Sequence, residues 1–177
     1  MSFITAYSRR MKDLFKAISE AITTKVAAVR WVDFDLGQLD SGEAPPVSFP
    51  CALIGFGNGD YSNLSNLVQM GEIGVVIRVA FKTFERTHSA ATEVFRDVGL
   101  AHLDILRDIH FALQGLSGPA FSSMTRISMR QEARADLRVY QYTYSTIYTE
   151  GPDSPYEPVP EGTTVDLCLD VVVEDTP

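Results

Sequence analysis

GEIGVVIRVAFKTF, residues 71–84, sets Ile73, Val75, Ile77, Val79 and Phe81 in alternation with Val76, Arg78, Ala80 and Lys82. A period of two sends each set to its own face of a pleated strand, and the β-branched content suits a surface buried on at least one side. The stretch therefore predicts a strand lying centrally in a sheet. On either side of it the period changes. Residues 2–26 carry Phe3, Tyr7, Met11, Leu14, Phe15, Ile18 and Ile22 at steps of three and four, one apolar stripe of an α-helix whose other face holds Arg9, Lys12, Lys16 and Glu20. After residues 85–89, the stretch to Leu113 repeats that spacing, with Val94, Phe95, Val98, Ala101, Leu103, Ile105, Leu106, Ile109 and Leu113 read as the inward stripe and Gly115 in place to end the helix. Helices and strands interleaved in this way predict an α+β fold.

Further strands follow from the same test. Residues 28–36 alternate Val32, Phe34 and Leu36 against Val29, Trp31, Asp33 and Asp35, and residues 50–56 (PCALIGF) form a short apolar run. Residues 37–50 and 57–66 (GNGDYSNLSN) are rich in turn-forming residues and read as loops able to supply contact surface. Residues 121–131 and 137–150 are joined by a short polar link, the pattern of an antiparallel hairpin. Its second arm projects Arg138, Tyr140, Tyr142, Tyr144, Thr146 and Tyr148 to one side. Residues 151–163 hold Pro152, Pro155, Pro158 and Pro160 and read as an extended linker. Beyond it, residues 164–174 place Val165, Leu167, Leu169, Val171 and Val173 on one face of an isolated strand. The domain expectation is thus one α+β body over residues 1–150 and an appendage over residues 151–177.

Composition narrows the function. At 177 residues, with 45% hydrophobic and 21% charged residues, the chain suits one packed core. A formal net charge of −8 argues against a surface that grips nucleic acid, which needs Lys and Arg on phosphates, although an acidic wall suits a passage through which DNA slides. No apolar run approaches the roughly 20 residues of a membrane span, so no membrane partner is expected and the protein should stay in the cytoplasm where it is made. Cys51 and Cys168 lie far apart in strand-like segments and read as buried free thiols.

No constellation points to catalysis or to a cofactor. Asp33 and Asp35 have no third ligand at metal spacing and read as an exposed strand end. Gly55, Gly57 and Gly59 lack the Lys and Ser/Thr of a phosphate loop. His88, His102 and His110 have no nucleophile or partner ligand at a recognisable spacing and read as solvent-facing helix residues. The chain is therefore expected not to be an enzyme, with no catalytic, metal or cofactor residues. What remains is interface chemistry. Tyr140, Tyr142, Tyr144 and Tyr148 beside Arg126 and Arg130 have the composition that interfaces favour, and Val165, Leu167, Leu169 and Val171 could add a strand to this subunit's sheet or to a neighbour's.

Taken in order, the first helix, the strand and loop VDFDLGQL, the strand FPCALIGF, the long strand GVVIRVAF, the second helix closing in DIHFALQGLSG, and the Tyr/Thr-rich hairpin resemble the tail terminator or tail completion proteins of long-tailed bacteriophages. The resemblance spans residues 3–150. It implies a mixed, mainly antiparallel β-sheet covered on one face by two α-helices, and a homo-oligomeric ring, commonly a hexamer. Such a ring caps the head-proximal end of the tail tube, ends tube polymerisation and offers the head-joining surface. Its implied partners are further copies of itself, the tail tube protein and the head-tail connector protein, with DNA only in passage through the lumen. Its implied location is the host cytoplasm during assembly and then the virion tail. The proline-rich linker and extra strand after Glu150 depart from the family's pattern. A head-tail connector or other minor tail protein is the nearest alternative. A small hydrolase or nuclease built on Asp33, Asp35 and a histidine is a remoter one, requiring those groups to converge in one pocket.

Overall fold

A computed structural model describes residues 7–40, 46–65, 68–82, 87–119 and 121–150. Helix α1 (Tyr7–Lys25) leads into strand β1 (Trp31–Phe34), then β2 (Cys51–Ser65), β3 (Val68–Phe81), helix α2 (Glu93–Leu113), β4 (Thr125–Glu132) and β5 (Arg138–Glu150). The strands form one sheet in the order β1-β2-β3-β5-β4, with β1 parallel to β2 and every other pairing antiparallel. Residues 71–81 do lie in the central strand. β3 sits third of five, and its Ile73, Val75, Ile77, Val79 and Phe81 are all buried on one face.

Both helices cover that face. Leu14, Ile18 and Ile22 of α1 and Leu106, Ile109 and Leu113 of α2 join Ala52 and Ile54 of β2, the inward row of β3, and Tyr142, Tyr144 and Tyr148 of β5 in one cluster. This is the mixed, mainly antiparallel sheet with two helices on one side that the sequence led us to expect. The proposed C-terminal strand, with Val165, Leu167, Leu169 and Val171, and the linker before it lie outside the described residues.

The opposite face carries a smaller cluster, and its source is the connection from β1 to β2. Two parallel neighbours cannot be joined by a tight turn, so the chain must cross over. Here the described parts of the connection, residues 35–40 and 46–50, pack on the face away from the helices. Leu39, fully buried, with Val47 and Phe49 beside it, packs on Cys51, Leu53, Ala80, Leu137 and Val139. The segment read as a contact loop is thus in part a core element.

Two other expectations need correction. The polar run 57–66 is strand through Ser65, paired with Val68–Ile73 across two irregularities, between Phe56 and Gly59 and between Asn63 and Ser65. Backbone pairing ignores side-chain polarity, and glycines let an aromatic ring close over the ribbon: a Cβ on Gly71 would meet the Tyr61 ring at 2.5 Å. On α2 the buried residues are Gly99, His102, Leu106, Ile109, Ala112 and Leu113, whereas Val94, Phe95, Val98 and Leu103, expected inside, are exposed. The helix has apolar residues on more than one side, so spacing alone could not choose which side seats on the sheet. The stop signal was read correctly: Gly115, at φ +80°, follows the last helical turn in the left-handed region that glycine tolerates.

Candidate interaction surfaces

The tyrosine row of β5 does project to one side, but that side faces the core. Tyr142, Tyr144 and Tyr148 are buried and Tyr140 is partly so, which removes them from the surface a partner could touch in this conformation. Two strand residues advance about 6.8 Å and four helical residues about 6.0 Å, so alternate tyrosines can meet every fourth residue of a helix lying along the strand. α2 supplies that match. The Tyr140 hydroxyl lies 3.1 Å from His102 Nε2, the Tyr142 hydroxyl donates to the Leu106 carbonyl at 3.1 Å, and the Tyr144 hydroxyl lies 3.3 Å from His110 Nδ1. Each phenol can thereby satisfy its polar end while its ring fills the core.

The histidines follow from the same packing. His102 is 8% exposed rather than solvent-facing. Its Nδ1 is 2.8 Å from the Gly99 carbonyl, which can only accept, so Nδ1 carries the proton and Nε2 accepts from Tyr140. Burial lowers the pKa of His102, against the opposing pull of the Gly99 carbonyl, and burial likewise lowers that of His110. Both rings are structural partners of tyrosines. The repeat His102, Leu106, His110 against Tyr140, Tyr142, Tyr144 was present in the sequence, and matching the two step lengths would have found it.

On the other face Arg78 is the organising charge. It is 9% exposed and donates through Nε and Nη2 to Glu132, at 2.8 Å each, and through Nη1 and Nη2 to Asp40, at 2.8 and 3.0 Å. Asp35 adds a longer contact at 3.4 Å, and Arg134 bonds both Asp40 and Asp136. The bonds to Asp40 and Glu132 raise the pKa of Arg78, and the bond from Arg78 lowers that of Asp40. Asp35, read as part of an exposed strand end, is instead a partly buried tie between the β1 exit and β3, while Asp33 accepts the Phe34 N–H at 2.8 Å. An open depression of about 690 Å³ adjoins this network, lined by Asp35, Val76, Arg78, Arg130, Glu132 and Gln141 among others. Its strongest charges already bond one another, which leaves no poised acid and base converging on a substrate.

Among the described residues no group of three or more His, Cys, Asp or Glu side chains could hold a metal ion. Cys51 is buried and free, its thiol pushed up to about 11 chiefly by burial, which makes it a small hydrophobe rather than a nucleophile. Among the described residues no helix is long and apolar enough to cross a membrane.

The surface itself offers three features. Val94, Phe95 and Val98 are 71%, 56% and 53% exposed on the first half of α2. The β2–β3 ribbon exposes Tyr61, Leu64 and Met70. β4 is a sheet edge exposed along nearly its whole length, with Ile127 and Met129 among its exposed apolar residues. Arg126 and Arg130 stand on this strand. Arg126 lies 5.5 Å from the centre of the Tyr142 ring, and Arg130 donates to Gln141 at 2.8 Å. Of the interface residues expected from sequence, these two arginines are the ones found on open surface.

No protein-family model matches the chain, and no curated protein matches it in sequence. Among solved structures, a chain from "Virion of native gene transfer agent (GTA) particle" matches 82% of this chain and 92% of its own length, at 15% identity and a TM-score of 0.34. At that TM-score the likeness carries no argument about function.

Proposed function

We propose that this protein is a structural component of a phage-type virion, an oligomeric ring that caps the head-proximal end of a tail tube, ends its growth and offers the head-joining surface. The observation that supports this most is the distribution of unsatisfied surface. The described charges near the depression beside Arg78 tie the fold to itself, while apolar residues stand exposed at separate places, on α2, on the β2–β3 ribbon and along β4. A head-to-tail ring joins two unlike patches of each subunit, so separate exposed patches suit it better than one self-complementary patch would. The family resemblance of residues 3–150 supplies the identity of the ring, and a net charge of −8 suits a lumen that lets DNA pass without holding it.

The test is assembly. Size-exclusion chromatography with light scattering, over a concentration series, should give a mass near that of six 19.6 kDa chains. Tube protein should be retained by the immobilised protein and its polymerisation in solution stopped. A chain that stays monomeric at high concentration and neither binds tube protein nor limits its growth would overturn the proposal. Retention of a connector protein in place of tube protein would move the chain to the connector side of the joint.

A further inference from the structure

Among the described residues the open edges of the sheet are β4, β1 and the flank of β2 beyond Ile54; that flank is broken by irregularities after Phe56 and Asn63, and the other two differ in what they can accept. β1 is four residues long, while β4 runs for eight. Residues 164–174 (TVDLCLDVVVE) alternate Val165, Leu167, Leu169, Val171 and Val173 with Asp166, Cys168, Asp170, Val172 and Glu174, enough chain to pair along all of β4 and far too much for β1. We propose that this segment of one copy adds as a sixth strand to the β4 edge of a second copy. The ring reading above is used only for the existence of that second copy.

Charge and facing agree with this pairing. Arg130 pairs with Gln141 on the face away from the helices, and Met129 pairs with Tyr142 on the helix-covered face. A sixth strand that turns its Val and Leu row toward the helix-covered face lies beside Met129, 47% exposed, and its alternate positions bring Asp166, Asp170 and Glu174 to the face of Arg130. An apolar row turned to the other face would bring the acids away from Arg130. The free part of the edge starts after Arg126, whose N–H is taken by Gln114 Oε1 at 3.0 Å.

Reach favours a second copy over the same one. β4 begins opposite Ser145, so a chain leaving Glu150 would have to turn back about 17 Å along the sheet to reach its own edge. Residues 151–163, with prolines at 152, 155, 158 and 160, favour an extended path of up to about 40 Å instead. A spacer of that composition disfavours the reversal that the same copy would need, and the main-chain bonds of strand addition do not depend on which copy supplies it.

The test uses the full chain, wild type and Leu167→Lys/Leu169→Lys, and reads amide hydrogen exchange with solution mass on the same samples over a dilution series. Exchange at β3 reports that both proteins are folded. In the wild-type oligomer the outward amides of residues 127–131, those that β5 does not bond, should be protected, and they should exchange at least tenfold faster on dilution to monomer and in the double variant. Protection of those outward amides that survives dilution to monomer would overturn the exchange, because the strand would then lie on its own sheet. An oligomer whose outward β4 amides are open in the wild type, or unchanged in the variant, would also overturn it while leaving the ring intact. A wild-type monomer at every concentration, with open outward β4 amides, would remove both readings together.

Discussion

β4 and β5 are the two arms of one hairpin, and both alternate apolar with polar residues, yet one is surface and the other core. Along β5, Tyr142, Tyr144, Thr146 and Tyr148 are at most 2% exposed, while along β4 Ile127 and Met129 are 63% and 47% exposed. Propensity does not separate them, since both arms hold residues that suit a pleated strand. Position does. β5 lies between two strands and beneath α2, whose steps match its own, whereas β4 has a neighbour on one side only. Alternation tells which residues share a face and leaves open whether anything covers it.

Substitution at matched places on the two arms should give the largest contrast. Tyr144→Ala empties a fully buried site and should cost about 3–5 kcal/mol, the range for removing a large aromatic from a core. Met129→Ala should change stability by no more than about 0.5 kcal/mol, as exposed substitutions do. Urea unfolding followed by circular dichroism measures both, on the protein held as monomer by dilution. Similar costs at the two sites would mean that the edge strand is covered in the monomer and that the comparison fails.

A second contrast separates the charged face from the tyrosine face. Arg78→Met leaves Asp35, Asp40 and Glu132 without their common partner and should cost about 2 kcal/mol, below the 3–5 kcal/mol of a fully buried pair because Asp40 is more than half exposed. The loss should be accompanied by faster hydrogen exchange at Leu39 and its neighbours, since the Asp40 tie holds the crossover against β3. Unchanged exchange there would show that the apolar packing of Leu39 holds the segment alone.

These contrasts follow the limit of what the sequence displayed. The central strand, the two helices, the hairpin and the Gly115 stop were legible because each rests on a local period or a local backbone requirement. The covered face was not. Val94, Phe95 and Val98 obey helical spacing as well as His102, Leu106 and Ile109 do, and spacing does not tell which of them the sheet covers. The tyrosines looked like interface because Tyr and Arg are common to interfaces and to cores with polar caps, and the caps, His102 and His110, lie some 30 or more residues away in the chain. Arg78 was placed on the correct face by alternation, but its partners come from β1, the crossover and the β4 end, and no spacing rule links them. Of the hairpin residues read as interface, Tyr142, Tyr144 and Tyr148 are thus buried, while Arg126 and Arg130 of the other arm stand on the surface.

Acid should distinguish the tyrosine face further. His102 has a folded pKa below its ordinary 6.5, chiefly through burial, so the unfolded chain binds the proton more readily. Its contribution to stability is fully present above pH 6.5 and is lost as pH falls from there through the folded value, and His110 acts in the same direction. Unfolding midpoints between pH 7.5 and 5 should fall for the wild type and fall less for His102→Gln. Parallel curves for the two proteins would place the acid sensitivity elsewhere, on His110 or on the carboxylates around Arg78.

The smallest effect lies where the two arms touch. Arg126 stands on the exposed arm with its guanidinium 5.5 Å from the ring of Tyr142 on the buried one. At an exposed site a cation over a ring contributes about 0.5–1 kcal/mol, and replacing the side chain leaves the main-chain bond to Gln114 in place. Arg126→Ala should therefore cost less than about 1 kcal/mol, and Arg126→Lys should recover part of it, a double-mutant cycle with Tyr142→Leu isolating the pair. If instead Arg126→Ala leaves monomer stability untouched and weakens the oligomer, the arginine serves a neighbouring subunit rather than the ring of Tyr142. The boundary between core and interface would then run between the two arms, at the residue pair that joins them.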